Sequence, residues 1–284
     1  MADAQKIIAL VDGSTYSASV CEHAAWIAGR TGAPVEVIHV LGRREGAATR
    51  DHSGAIALGA RSALLAELAE IDAARAKLMS RRGRAILDDA QAILDKAGVG
   101  EVTTRLRHGD IVETVAGVEA RVIVIGKRGE AADFATGHPG SNLERIVRAS
   151  HKPVFVASRA FRPIARVLVA FDGSASATKA IAHVAESPLF PGLDVHVVTV
   201  GAGTPEVQRG LDAARARLAA AGIEAEASVL PGQPETALAG MVEAGGFDML
   251  VMGAYGHSRI RSLIIGSTTT AMIGACKVPV VLVR

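Results

Sequence analysis

The sequence predicts an α/β protein made of two copies of one doubly wound domain, and two observations carry that prediction. Near-continuous apolar runs of four to six residues alternate with longer segments of helical period, and this series occurs twice along the 284 residues. Strands buried on both faces read as unbroken apolar runs because helices cover a parallel sheet on either side. The length also exceeds the roughly 100–200 residues usual for one domain.

The repeat can be followed element by element. Lys6-Ile-Ile-Ala-Leu-Val-Asp-Gly-Ser14 aligns with Arg166-Val-Leu-Val-Ala-Phe-Asp-Gly-Ser174 at an offset of 160 positions. Each reads as a first strand ending in an Asp-Gly-Ser turn, and self-similarity at one offset outweighs any single-segment reading. Residues 17–29 and 176–186 have helical period. The same offset carries the strand-like run 35–40 onto 195–200. The third runs, 102–107 and 225–230, are more polar and alternating, as expected near a sheet edge. Val122-Ile-Val-Ile-Gly126 answers Met249-Leu-Val-Met-Gly253 at an offset of 127, so the first repeat holds about 33 additional residues. They lie in the stretch 55–96, where Leu64, Leu68, Ile71, Leu78, Ile86 and Ile93 recur at roughly helical spacing. A long helix or a helical hairpin fits, with Gly83 the expected break. Each repeat closes on a short apolar run begun by proline, 152–156 and 278–283, as a strand start tolerates. The boundary is expected within 159–164, giving domains 1–160 and 161–284.

Composition excludes several classes of function. Aromatic residues make up only 3%, too few for a base-stacking platform, and a net charge of +2 from 31 basic and 29 acidic residues gives no strong field for nucleic acid. Cys21 and Cys276 lie in opposite repeats without ligand spacing, which argues against a metal centre or disulfide framework and for a reducing compartment. No run approaches the roughly 18 apolar residues of a membrane span, and the run 7–11 is too short for a signal sequence. A cytoplasmic protein without membrane insertion is expected.

The chemistry concentrates in the second repeat. Gly253-Ala-Tyr-Gly256 is followed by nine residues and then by Gly266-Ser267-Thr268, which opens a helical segment. Gly253 and Gly256 would permit positive φ and let backbone N–H groups approach an anion. Gly266 and Ser267 would stand at a helix start, where free N–H groups, dipole and hydroxyls favour phosphate. A plain strand-to-helix turn and an ordinary N-cap are the alternatives. Asp12 and Asp172 could bond only their own turns. His108, His138 and His257 read as loop residues rather than bases.

The pattern G-x-x-G, nine residues, G-[ST] at Gly253, Gly256, Gly266 and Ser267 resembles the ATP-binding signature of the universal stress proteins. The resemblance covers nearly the whole chain and implies, for each repeat, a Rossmann-like domain of the adenine nucleotide alpha hydrolase-like kind. The sheet would have five parallel strands in the order 3-2-1-4-5. It further implies that Asp172 contacts the nucleoside, that the backbone of Val200 reads adenine, and that the glycines with Ser267 and Thr268 hold phosphates. Repeat one departs from the pattern: Gly126-Lys127-Arg128-Gly129 is followed by ten residues before Gly140-Ser141-Asn142. Its counterpart site, with Asp12 and Val40, is either altered or empty, or else strengthened by Lys127 and Arg128.

A regulatory ATP-binding protein of the stress response is therefore expected, with ATP, ADP or AMP held mainly in the second domain. Mg²⁺ would arrive with the phosphates, and the output would be contact with an unidentified protein. No nucleophile–base–orienter set accompanies the loops, so no catalytic residue is assigned. The alternatives are a slow ATPase or self-phosphorylating enzyme, and a scaffold that binds no nucleotide. The tandem form implies an intrachain pseudo-dimer through the two closing strands, with further homodimerisation left open.

Overall fold

The computed structural model describes residues 6–42, 58–127, 141–254 and 267–284. The first half runs β1 (Lys6–Leu10), α1 (Ser17–Thr31), β2 (Val35–Leu41), α2 (Leu58–Lys96), β3 (Val102–His108), α3 (Ile111–Ala116), β4 (Ala120–Gly126), α4 (Ser141–Ala149), β5 (Val154–Ala157). The second runs β6 (Arg166–Ala170), α5 (Ala175–Glu186), β7 (Asp194–Val200), α6 (Pro205–Ala220), β8 (Ala225–Leu230), α7 (Pro234–Ala244), β9 (Met249–Gly253), α8 (Ser267–Ala275), β10 (Val280–Val283).

All ten strands join one sheet in the order β3-β2-β1-β4-β5-β10-β9-β6-β7-β8. Each half has the order 3-2-1-4-5, and the two meet where β10 runs antiparallel to β5, with Val281 opposite Phe155. Every other pairing is parallel, so the strands of the two halves point in opposite directions. The polar, alternating strands β3 and β8 lie at the two outer edges, where one face and one side meet water.

The sequence pattern follows from this layering. β5 and β10 are buried at every position, and the central residues of β1, β4, β6 and β9 are likewise enclosed. Burying one such Val, Ile or Leu side chain is worth about 1.5–3 kcal/mol, which explains why short strands suffice at the seam. The basic residue that opens each repeat anchors the start of its sheet: Lys6 pairs with Glu36 at 3.3 Å and Arg166 with Asp194 at 2.8 Å. Glu36 is itself buried and also meets Arg105 at 2.6 Å, so its charge is shared across three strands.

The additional segment forms one continuous helix of 39 residues, the first of the two forms expected of it, but Gly83 does not break it. A Cβ at Gly83 would lie 2.7 Å from Leu106 Cδ1 and 2.9 Å from His39 Cδ2. Glycine stands there because the helix crosses the sheet at that point, and a close crossing rather than a turn is what excludes a side chain.

A pair of histidines, His23 and His183, occupies equivalent positions in α1 and α5. His23 is fully buried between the rings of Phe155 and Phe161, its Nδ1 donates to the Ser19 carbonyl at 2.7 Å, and its Nε2 has no partner among the described residues. Burial pushes both imidazoles down from 6.5 to about 4. Below pH 6.5 the unfolded chain takes up these protons first, so stability falls towards pH 4 by up to about 1.4 kcal/mol per pH unit for each histidine. Urea unfolding of His23→Gln between pH 7 and 4 should show a flatter dependence than the parent; an unchanged slope would mean that His23 titrates normally in the fold.

Candidate functional site

The sheet brings the candidate residues of each half to the carboxyl ends of adjacent strands. β6 lies beside β9, with Ala170 opposite Met252, so Asp172 emerges next to Gly253; β7 flanks β6 and ends at Val200. In the first half β1 lies beside β4, which places Asp12 next to Gly126, with Val40 near the end of β2. In doubly wound sheets this is the switch point where connections leave in opposite directions and open a crevice. Because the halves run in opposite directions, the two crevices lie at opposite ends of the sheet.

Each Asp-Gly-Ser turn is held by its own aspartate. Asp12 Oδ1 accepts from Ser14 N at 3.0 Å, and Asp172 Oδ1 accepts from Ser174 N at 2.9 Å. The intervening glycines take φ of +81° at Gly13 and +74° at Gly173, a conformation that L side chains rarely adopt. Ser174 then caps α5 by accepting from Ala177 N at 3.1 Å, whereas in the first half Ser17 Oγ folds back to accept from Gly13 N at 3.0 Å. One oxygen of each aspartate therefore shapes the loop on which the carboxylate sits.

A side chain of the second strand braces each loop from behind. His39 Nδ1 donates to the Val11 carbonyl at 2.8 Å, and Thr199 Oγ1 donates to the Phe171 carbonyl at 2.6 Å. These struts occupy equivalent positions at the offset of 160, a signal present in the sequence but hidden by the change from His to Thr.

Gly253 is required by close packing. Its φ lies outside the left-handed region, and a Cβ there would stand 2.5 Å from Ser176 Oγ and 2.8 Å from Ala177 N. The expectation of positive φ at Gly253 is thus corrected: the missing side chain lets the first turn of α5 sit directly against the end of β9. Thr269, in the first turn of α8, donates through Oγ1 to the Ala254 carbonyl at 3.1 Å and is buried. This bond holds the start of α8 beside the same strand end. The corresponding residue of α4 is the buried Leu143, which cannot make it, and Asn142 next to it is exposed.

The remaining assigned residues fall in different places. Lys127 is buried and its ammonium donates to the Cys276 carbonyl beyond the end of α8, in the other half of the molecule. A cation at a helix C-terminus meets the exposed carbonyls and the negative end of the dipole. Burial nonetheless lowers its pKa to about 8. Ser141 opens α4, and Ser267 and Thr268 open α8; the side chains of these three lie outside the described residues. Gly129, Gly140, Gly256, Gly266, Arg128, His138 and His257 also lie outside them.

The two crevices differ at the first turn. In the first half α2 crosses it: a Cβ on Gly13 would meet Ile86 Cδ1 at 2.8 Å, with Arg82 at 4.0 Å. At Gly173 nothing among the described residues comes within 4 Å of the same position. The helix supplied by the additional segment reaches the aspartate turn of the first half, and no described residue does the same in the second.

Comparison with known proteins accords with this geometry. The model of the universal stress protein family matches residues 4–158 and 202–284. A universal stress protein of Synechocystis sp. is 37% identical over 99% of this chain and 100% of its own length. Among solved structures, a universal stress protein from Archaeoglobus fulgidus superposes with a TM-score of 0.75 at 21% identity, covering 99% of both chains. A Pseudomonas aeruginosa protein of unknown function does so with a TM-score of 0.63 at 15% identity, covering 99% of this chain and 92% of its own. With the repeated 3-2-1-4-5 sheet and the family match spanning both halves, the chain belongs to the universal stress protein family as a tandem, two-domain member.

Proposed function

We propose that this chain is a regulatory protein that binds ATP in the crevice of its second half and signals occupancy through contacts with another protein. The observation that carries this reading is the contrast between the turn at Gly173, which no described residue covers, and the turn at Gly13 beneath Ile86. In this reading Asp172 meets the ribose hydroxyls, the chain at Val200 meets the base, and the start of α8, tethered by Thr269, takes the phosphates through its N–H groups. Bound Mg²⁺ would neutralise phosphate charge; among the described residues no cluster of His, Cys, Asp or Glu forms a metal site, so its ligands would come chiefly from phosphate and water. The oxygen of Asp172 that is bound to its own turn favours a binding role over that of a base. Among the described residues no helix is long and apolar enough to cross a membrane.

The reading is tested by isothermal titration of the nucleotide-free protein with ATP. Gly256→Val should remove most binding, since a β-branched side chain would fill the phosphate turn, whereas Gly129→Val should remove less. Thr269→Val should weaken ATP several-fold and cost about 1 kcal/mol of stability, because it releases α8 from the Ala254 carbonyl. Circular dichroism of each unliganded variant separates lost binding from lost fold. Absence of ATP binding in the parent protein, or loss confined to Gly129→Val, would contradict the proposal.

A further inference from the structure

Helix α2 has two unlike parts. From Gly83 onward it packs on the body, burying Leu87, Ala90 and Leu94. Between Leu64 and Leu78 every residue except Asp72 is exposed, so this part projects with solvent on all sides. Its large apolar residues are nevertheless ordered. Leu64, Ile71 and Leu78 recur every seven positions with Leu68 between the first two, and their exposures are 38%, 56%, 65% and 36%. Leu64, Ile71 and Leu78 hold one seam position of a heptad and Leu68 the other, where Arg75 follows, so the stripe is a short coiled-coil seam with one charged position, and an isolated helical stretch of this length is marginal in water without a partner for it.

The charges identify the partner. The projecting part is acidic at Glu67, Glu70 and Asp72 and then basic at Arg75, Lys77 and Arg81. A second copy laid parallel would set like charges against like. Laid antiparallel about Ala73, it sets the acidic segment of each copy against the basic segment of the other, brings Leu68 to Leu78, and places Glu67 beside Arg81. Flanking charge pairs of this kind determine orientation and partner choice in coiled coils. We propose that the projecting part of α2 is a homodimerisation arm, pairing antiparallel with the same segment of a second copy.

Sedimentation velocity of the full chain across the micromolar range tests this. The parent protein should shift with concentration from the mass of one 29.2 kDa chain to twice that value. Ile71→Glu should hold the single-chain mass at all concentrations with an unchanged melting temperature, because Ile71 is exposed and stands outside the core formed by the described residues. Glu67→Arg and Arg81→Glu should each dissociate the dimer through like charges, and an equimolar mixture of the two should restore it. A parent protein that stays monomeric would overturn the proposal, as would a dimer that survives Ile71→Glu and both charge variants. If the mixture fails to associate, the antiparallel register is wrong. A melting temperature that falls in monomeric Ile71→Glu would show the stripe to be covered by another segment of the same chain.

Discussion

The antiparallel pairing of β5 with β10 is the contact on which the rest of the architecture depends. Each of these strands is four residues long and buried at every position, so neither could stand as the open edge of a separate domain. An exposed apolar edge invites pairing with other chains. Pairing the two edges within one chain removes that hazard and fixes the geometry of everything attached to them. Reciprocal caps reinforce the seam: Lys127 of the first half donates to the Cys276 carbonyl behind α8, and Arg284 after β10 donates to the Arg148 carbonyl in α4. Ser19 in α1 also donates to the Ser158 carbonyl just past β5 at 2.8 Å.

From this seam follows the separation of the two crevices. Antiparallel joining turns the carboxyl ends of β1 and β4 away from those of β6 and β9, so each half faces solvent with its own strand ends and can diverge without disturbing the other. The additional helix uses that freedom. It enters the first half only, crosses the sheet at Gly83 over His39 and Leu106, and brings Ile86 onto the Gly13 turn. The same helix then extends beyond the body, so one segment both covers a crevice and offers an outer surface. Lys127 sits at the meeting point of these effects, being adjacent to Gly126 in one crevice and bonded behind the helix that opens at the other.

Much of the fold was legible because its causes are local or periodic. Unbroken apolar runs identified the buried strands, the polar alternation of β3 and β8 identified the edges, and the offset of 160 identified the repeat. The Asp-Gly-Ser turns were legible as turns because Gly13 and Gly173 adopt the φ that such a sequence favours. What was not legible depends on contacts between distant residues. Gly83 has poor helix propensity and so suggests a break, yet its reason is the crossing with Leu106 and His39. Gly253 suggests a conformational need, yet α5 is what approaches it. Nothing in the local sequence of Gly126-Lys127 indicates that its ammonium serves a helix 149 positions away, and the bond from Thr269 to Ala254 emerges only once α8 is docked.

Two copies of one domain are joined in a single sheet, and the proposed function assigns ATP to the corner at Gly173, which no described residue covers, rather than to the one beneath Ile86. Native mass spectrometry of the nucleotide-free protein titrated with ATP measures this directly by counting ligands per chain. The account predicts that one ATP binds each chain over the range where Asp172→Ala abolishes binding and Asp12→Ala leaves it intact. Two equivalent ATP molecules per chain, or a single one lost through Asp12→Ala, would contradict it.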